Sequence, residues 1–136
     1  MSGQQMIKFT IEHYRKAGVS DEKLMSWFSG SHIPLGLPLM DKYGITKYSV
    51  HTRRDDLCDA FQGNLQRVRP TWEVSKADFV LEYWMPSLES FKKLVMDPEW
   101  LEGAAKDQDE YLDMSKSTIH IGQETTYLEN GKILNA

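Results

Sequence analysis

The stretch "DFVLEYWM", Asp78 to Met85, decides the fold. It alternates over its whole length: Asp78, Val80, Glu82 and Trp84 fall on one side, Phe79, Leu81, Tyr83 and Met85 on the other. A period of two in so apolar and aromatic a run is a strand. The second set is wholly apolar and must face a core. The first mixes carboxylates with Val80 and Trp84, so the other face of this strand is only half suited to water.

Upstream, "ITKYSVHT" (Ile45 to Thr52) is β-branched and aromatic and is read as another strand. "MIKFTIEHY" (Met6 to Tyr14) alternates, with Ile7, Phe9, Ile11 and His13 on one side. A helix is expected between these two strands. Ser20 is a good N-cap, Asp21 and Glu22 place negative charge in the first turn, and Leu24, Trp27, Phe28 and Ser31 share a face. Pro34 disfavours helical geometry at Ile33, so this helix is expected to stop at about Ser31. "PLMDKYG" then makes a short turn or helix closed by Gly44. The connection from Arg53 to Lys76 is long, and Leu57, Phe61 and Leu65 are spaced for one short helix inside it. Downstream of the quoted strand, Ser87 caps a helix carrying Leu88, Phe91, Leu94 and Val95, which Asp97 and Pro98 end. Short helical pieces lead to a last strand, Ser117 to Glu129, with a turn at Asn130-Gly131.

The order β-α-β-β-α-β predicts a ferredoxin-like α+β fold in a single domain over residues 1–136. Such a sheet carries its helices on one face. The open face is expected to show Trp84, Tyr48 or Tyr14 and to need cover. Two copies laid sheet to sheet would supply it. The expectation is a homodimer, a dimeric α+β barrel, with an apolar chamber between the sheets into which the ring of His32 projects.

The formal charge of −4 and the pI near 5.5 give nothing that would attract nucleic acid or an anionic membrane. No segment approaches the ~20 apolar residues of a membrane span. The start "MSGQQMIKF" holds no apolar run of the kind a secretory leader carries, and "MSGQQ" reads as a frayed terminus. The single cysteine, Cys58, has no partner for an internal disulfide. A cytoplasmic protein is expected. His13, His32, His51 and His120 lack metal-ligand spacing, no Gly-rich phosphate loop or G-x-S-x-G elbow occurs, and no metal or cofactor is expected.

Several segments together resemble the EthD family of dimeric α+β barrels, in particular its fungal branch. "IEHYRKAGVSDEKLMSWFSGSHIPL" is similar to that family's first strand, helix and "H-x-P-L" ending. "MDKYGITKYSVHT" resembles the following strand with its histidine. "ADFVLEYWMPSLESFKKLVMDPEW" resembles the Asp-initiated third strand, helix and "DP" stop, and "DEYLDMSKSTIHIGQETTYLENGKI" the acidic segment and last strand. "WFSGSHIPL" has smaller residues before the histidine than is usual there, and "SVH" stands for the usual "QxH". The resemblance implies a cofactor-free lyase, a dehydratase or decarboxylase, acting on a polyketide or related aromatic precursor of secondary metabolism. A cyclase or isomerase, pericyclic ring formation included, is an alternative on the same substrates. A haem- or O₂-using oxygenase is another, and a barrel that binds a hydrophobic metabolite without chemistry is the alternative outside enzymology.

His32 is the leading candidate. At a helix C-terminus the dipole favours imidazolium and would raise its pKa, although the same position suits a histidine that merely caps carbonyls. Walled by Trp27 and Phe28, its ring suits acid–base work on an apolar substrate. His51, at the end of the second strand, matches the family's histidine. The resemblance adds Asp78 as a group that orients a histidine, the alternative being a pair with Lys76 or Arg53. Tyr48, Glu82 and Trp84 complete the expected substrate-binding set, with ordinary packing as the alternative for each aromatic. His13 and Tyr14 are weaker candidates, and His120 reads as structural.

Overall fold

The computed structural model describes residues 6–135, so the "MSGQQ" terminus lies outside the described residues. Four strands build the main sheet: β1 (Ile7–His13), β2 (Lys47–Thr52), β3 (Phe79–Met85) and β4 (Thr118–Gln123). Their order is β2-β3-β1-β4, and every neighbouring pair is antiparallel. The expected ferredoxin-like topology is therefore present. The last strand is shorter than its sequence suggests. It ends at Gln123, and a separate small hairpin follows, β5 (Leu128–Glu129) and β6 (Lys132–Ile133). Asn130 and Gly131 form its turn, both at positive φ, as a two-residue hairpin turn requires.

The helices are α1 (Asp21–Trp27), α2 (Ile33–Lys42), α3 (Asp55–Val68), α4 (Glu89–Met96) and α5 (Gln108–Tyr111). Ser20 caps α1 as predicted, accepting the Lys23 N–H at 3.1 Å. The expected stop before Pro34 does not occur. A wide π-turn, Phe28–His32, joins α1 to α2, and the chain stays helical from Asp21 to Lys42. Pro34 sits in the first turn of α2, just past the wide turn, where the ring's fixed φ suits the helix. A second π-turn, Trp100–Ala104, follows α4. The helix in the Arg53–Lys76 connection is not short: α3 has 14 residues, of which Leu65 is the buried one.

Helices α1, α2 and α4 lie on one face of the sheet, whereas α3 brings Leu57 and Cys58 beside Glu12, His51 and Val80 of the other. Phe9 stacks on Phe91 of α4 with ring centroids 3.9 Å apart, and Phe28 meets Phe79 edge-on at 5.1 Å. That side is the core: Phe9, Phe79, Leu81, Tyr83 and Met85 are buried there with Leu24, Leu39, Met40 and Leu94 from the helices. Tyr48 is on this side too, because register sets it opposite Tyr83, at 4.7 Å between rings. The expectation that it faces outward is corrected. "ITKYSVHT" contains two alternating sets, and only pairing to β3 decides which is inward.

The open face is more polar than expected. Register places Lys8, Thr10 and Glu12 there with Lys47, Ser49, His51, Glu82 and His120. Trp84 lies among them, nearly buried. Lys8 and Lys47 hold their ammonium groups 4.7 and 4.5 Å from its ring centroid, and its indole N–H donates to Glu124 at 2.8 Å. Lysine stems and a carboxylate thus cover the aromatic ring without a second sheet.

Candidate active site

His32 is the most deeply placed titratable group of the helical layer, 2 % exposed. It is the last residue of the first π-turn. Its Nδ1 lies 2.7 Å from the carbonyl oxygen of Ala104, the last residue of the second. A carbonyl only accepts, so Nδ1 carries the proton and Nε2 holds a bare lone pair. Nε2 is fully buried with no hydrogen-bond partner among the described residues. The ring is boxed by aromatics: Phe28 stacks on it at 5.1 Å, and Trp27 and Trp100 stand 5.4 Å away. Tyr111 backs Trp27 in a parallel stack at 4.9 Å.

The electrostatics reverse the expectation. Because the helix runs on past Pro34, His32 meets no helix C-terminus, and burial dominates. It holds the imidazole below its ordinary 6.5, with the Ala104 bond acting weakly the other way. At neutral pH this is a neutral imidazole whose Nε2 is unpaired among the described residues, in an aromatic box. Local widening of a helix is a recurrent device at functional sites, and here two wide turns meet at one hydrogen bond. Gly36 permits the closure: a Cβ there would stand 3.1 Å from Trp100 Cζ3.

His13, rated weak from its position at a strand end, lies on the same face, 5 % exposed. Its ring is 5.6 Å from that of Phe79, which in turn touches Phe28. Ser117 Oγ is 2.9 Å from its Nδ1. Burial, and then the nearness of His32, bring its pKa down to about 4. The signal was in the sequence: β1 alternation sets His13 beside Phe9 and Ile11 on the apolar side. Trp100 and Ala104 carried no such signal, since nothing local marks a carbonyl as the partner of a histidine 72 residues away.

The other candidates are dispersed. Trp27 and Phe28 flank His32 as expected. His51 sits opposite Val80 on the open face, exposed, so the sheet separates it from His32. The two cannot divide acid and base roles on one substrate within a chain. Asp78 does not orient a histidine: its carboxylate accepts the Arg15 backbone N–H at 2.7 Å and lies 3.9 Å from Arg15 Nε. Glu82 pairs with Lys8 at 3.1 Å on the open face, and Trp84 is there too, so neither lines the His32 box. The His32 ring packs within the helical layer, against Trp27, Phe28 and Trp100, and does not project toward the open face of the sheet. Asp78 does border a cleft of about 510 Å³ with Arg15, Arg53 and Lys76. Leu24 and Phe79 also line that cleft, and Phe79 is the ring that contacts Phe28. Among the described residues no group of histidines, cysteines and carboxylates is placed to hold a metal ion.

Fold and site together define a ferredoxin-like α+β protein with a buried, neutral histidine in an aromatic box. Residues 16–115 match the EthD domain, and the chain belongs to that family. It is 48 % identical to the dehydratase iacD of Pestalotiopsis fici over 99 % of this chain and 97 % of that one. It is 32 % identical to the conidial pigment biosynthesis dehydratase EthD of Metarhizium robertsii, covering 96 % and 91 %. A protein of Emericella nidulans named decarboxylase is 24 % identical, covering 97 % and 85 %. Among solved structures, a dimeric ferredoxin-like protein of unknown function from Bacteroides fragilis superposes with a TM-score of 0.58 at 16 % identity, covering 88 % and 96 %.

Proposed function

We propose that this protein is a cofactor-independent dehydratase acting on a hydroxylated polyketide or related aromatic precursor, and that it works as a homodimer. The observation that carries the reading is the buried Nε2 of His32, a base without a partner whose tautomer Ala104 sets. The dehydratase names of the two relatives above support the same class.

Loss of water from a β-hydroxy carbonyl compound needs proton transfers and nothing redox. Nε2 removes the acidic α-proton, and the C–H electron pair becomes the enolate. The enolate collapses, the β C–O bond breaks, and the departing hydroxyl leaves as water with the proton from the imidazolium. His32 ends as it began. Burial makes this return fast, because the desolvated cation is disfavoured. Trp27, Phe28 and Trp100 offer flat surfaces to a conjugated substrate and exclude bulk water. The polar cleft at Asp78, Arg15 and Lys76 gives the hydrophilic end of the substrate a place outside the box. A decarboxylase, the activity named for the more distant relative, is the second reading: Nε2 would take the carboxyl proton of a β-keto acid, the C–C bond would break to release carbon dioxide, and the imidazolium would return that proton to the enolate carbon.

Neighbours of this fold described as dimeric support the dimer. The test of function uses extract of a producing strain that lacks this gene. Added wild-type protein is expected to convert an accumulated compound to one lighter by water, and His32→Gln to do so at least about tenfold more slowly. Equal rates would remove His32 from the chemistry. Loss of carbon dioxide instead would move the assignment to decarboxylase.

A further inference from the structure

We propose that the open face of the sheet carries a second binding site, where Glu12 accepts a hydrogen bond from the hydroxyl of a neutral phenol. The site is independent of the acid–base reading of His32, which belongs to the helical layer on the other side of the sheet.

A cavity of about 520 Å³ lies beside the first turn of α3. Val80 of β3 and Glu12 of β1 both line it, and register sets them directly opposite one another, so the two side chains share the open face. Leu57 and Cys58 of α3 and Ala77, just before β3, make the rest of the lining apolar. Leu57 is 56 % exposed, so an apolar ligand here takes out of water a surface that the chain itself leaves uncovered. The lining is also tied together. Arg53 Nε donates to the Ser75 carbonyl at 3.1 Å, which joins the end of β2 to the segment that leads into β3.

Glu12 is the polar centre of this lining. It is half-buried, and its carboxylate makes no ion pair among the described residues. Thr118 Oγ1 donates to one oxygen at 3.1 Å and Ser75 Oγ to the other at 3.4 Å. Ser75 is itself held, because its Oγ accepts the Ala77 N–H at 3.2 Å. A carboxylate offers about four acceptor positions, so about two remain open on a group whose orientation is already set.

The neighbours select the donor. Arg53 and Arg54 also line the cavity, but their guanidinium groups pair with Asp55 and Asp56 in the first turn of α3. His51, the remaining basic group of the lining, is exposed. An anion would therefore meet the unpaired Glu12 and no free buried cation. An organic cation would be held best by aromatic faces, and no lining residue is aromatic. An uncharged O–H on a flat apolar body satisfies both sides of the cavity. It donates to Glu12 while its rings cover Val80, Ala77 and Leu57. A phenol is a stronger donor than an aliphatic alcohol and brings that apolar area with it.

The test uses the full chain and its single cysteine. Cys58 is half-buried in this lining, so its alkylation by N-ethylmaleimide, followed by intact mass, reports on this cavity and not on the His32 box. 2-Naphthol is expected to slow the alkylation saturably. 2-Methoxynaphthalene has the same rings and no donor, and is expected to need at least about tenfold higher concentration for equal protection. In Glu12→Ala that gap is expected to close, because the cycle of two probes and two proteins isolates the bond from the hydroxyl to Glu12. Equal protection by the two probes in the wild type overturns the proposal. So does 2-naphthol that binds by calorimetry without protecting Cys58, which would place it elsewhere. Stronger protection by benzyltrimethylammonium than by 2-naphthol would make this a cation site and overturns it as well. Cys58 that reacts in urea but not in the native protein without any probe would mean that another copy of the chain fills the cavity, again against the proposal. Should Glu12→Ala not fold, the comparison of the two naphthalenes on the wild type decides.

Discussion

Burying two histidines in neutral form makes the fold sensitive to acid, and the size of the effect follows from the site. In the unfolded chain His13 titrates at its ordinary 6.5, and in the folded chain at about 4. A base whose folded pKa is depressed binds its proton more readily when unfolded. Stability is therefore complete above pH 6.5 and falls as pH drops toward 4. The limiting slope is about 1.4 kcal/mol per pH unit, so His13 alone removes about 2 kcal/mol by pH 5 and roughly 3 kcal/mol by pH 4. His32 is shifted in the same direction by the same cause, burial, and steepens the loss. The carboxylates Asp56, Asp97 and Asp113 are held below 3.8 by hydrogen bonds from Arg54, Tyr43 and Ser115 respectively. Their contribution is present above that value and is lost only as pH falls beneath it, so it does not enter the window. Urea midpoints measured between pH 7.5 and 4.5, at one protein concentration, are expected to fall steadily below pH 6.5. His13→Phe is expected to flatten most of that slope. A wild-type stability constant across the window, or an undiminished slope in His13→Phe, would refute the reasoning from burial.

Gly36→Ala tests the contact between α2 and the second π-turn. The new methyl stands 3.1 Å from Trp100 Cζ3 and 3.6 Å from Ala104 Cβ, an overpacking of about 1–3 kcal/mol set against about 1 kcal/mol of gained helix propensity. Thermal melts are expected to show a small net destabilisation, and turnover to fall further than stability does, because Trp100 and Ala104 position His32. Tyr48 and Tyr83 are both raised by burial above the ordinary 10, so they stay protonated in the folded state and stability is lost as pH rises through 10. Absorbance at the phenolate band is expected to show at least two of the six tyrosines titrating only with unfolding. His51→Gln is expected to leave turnover within about twofold of wild type while His32→Gln loses tenfold or more, since only His32 lies in the box. Equal losses would place the chemistry on the open face instead.

The fold was readable because its deciding signals are local. "DFVLEYWM" alternates without a break, and both neighbours of β3 in the sheet carry the same period, so strand number and order followed. Ser20, Ser87 and the Asn130-Gly131 turn act within three or four residues of themselves and could be read the same way. The helix stop at Pro34 was misread because a proline's effect on its predecessor assumes a regular α-helix, and the π-turn supplies another geometry. That one error changed the sign of the His32 argument, from a dipole that favours charge to burial that opposes it. Trp84 on the open face suggested an apolar surface because the sequence does not show that Lys8 and Lys47, far apart in the chain, converge on one ring. His13 was visible as an inward residue of β1, but its neighbours in the box come from β3 and from Ser117, and only the register brings them together.

An orphaned buried nitrogen costs about 1–3 kcal/mol, a substantial share of a domain's net stability. His32 could be relieved of it cheaply. Its neighbourhood already contains three aromatic rings, and an apolar side chain at position 32 would fill the same volume without an unpaired atom. Instead the chain spends two wide turns, a close-packed glycine at position 36 and a buried carbonyl on holding one imidazole in one tautomer. Tyr48 Oη, the other buried side-chain atom without a partner among the described residues, is a weaker case. Its hydroxyl can rotate, and Tyr83 lies beside it. Phe79, the β3 residue nearest the box, and Tyr83 are four residues apart on β3, about 13 Å, so Tyr48 is at the far end of the same face. The histidine has no such freedom: Ala104 fixes its proton on one nitrogen and leaves the other bare. A fold that keeps such an acceptor buried, fixed in one tautomer and surrounded by flat rings has the form of a base awaiting an acidic C–H on a conjugated molecule.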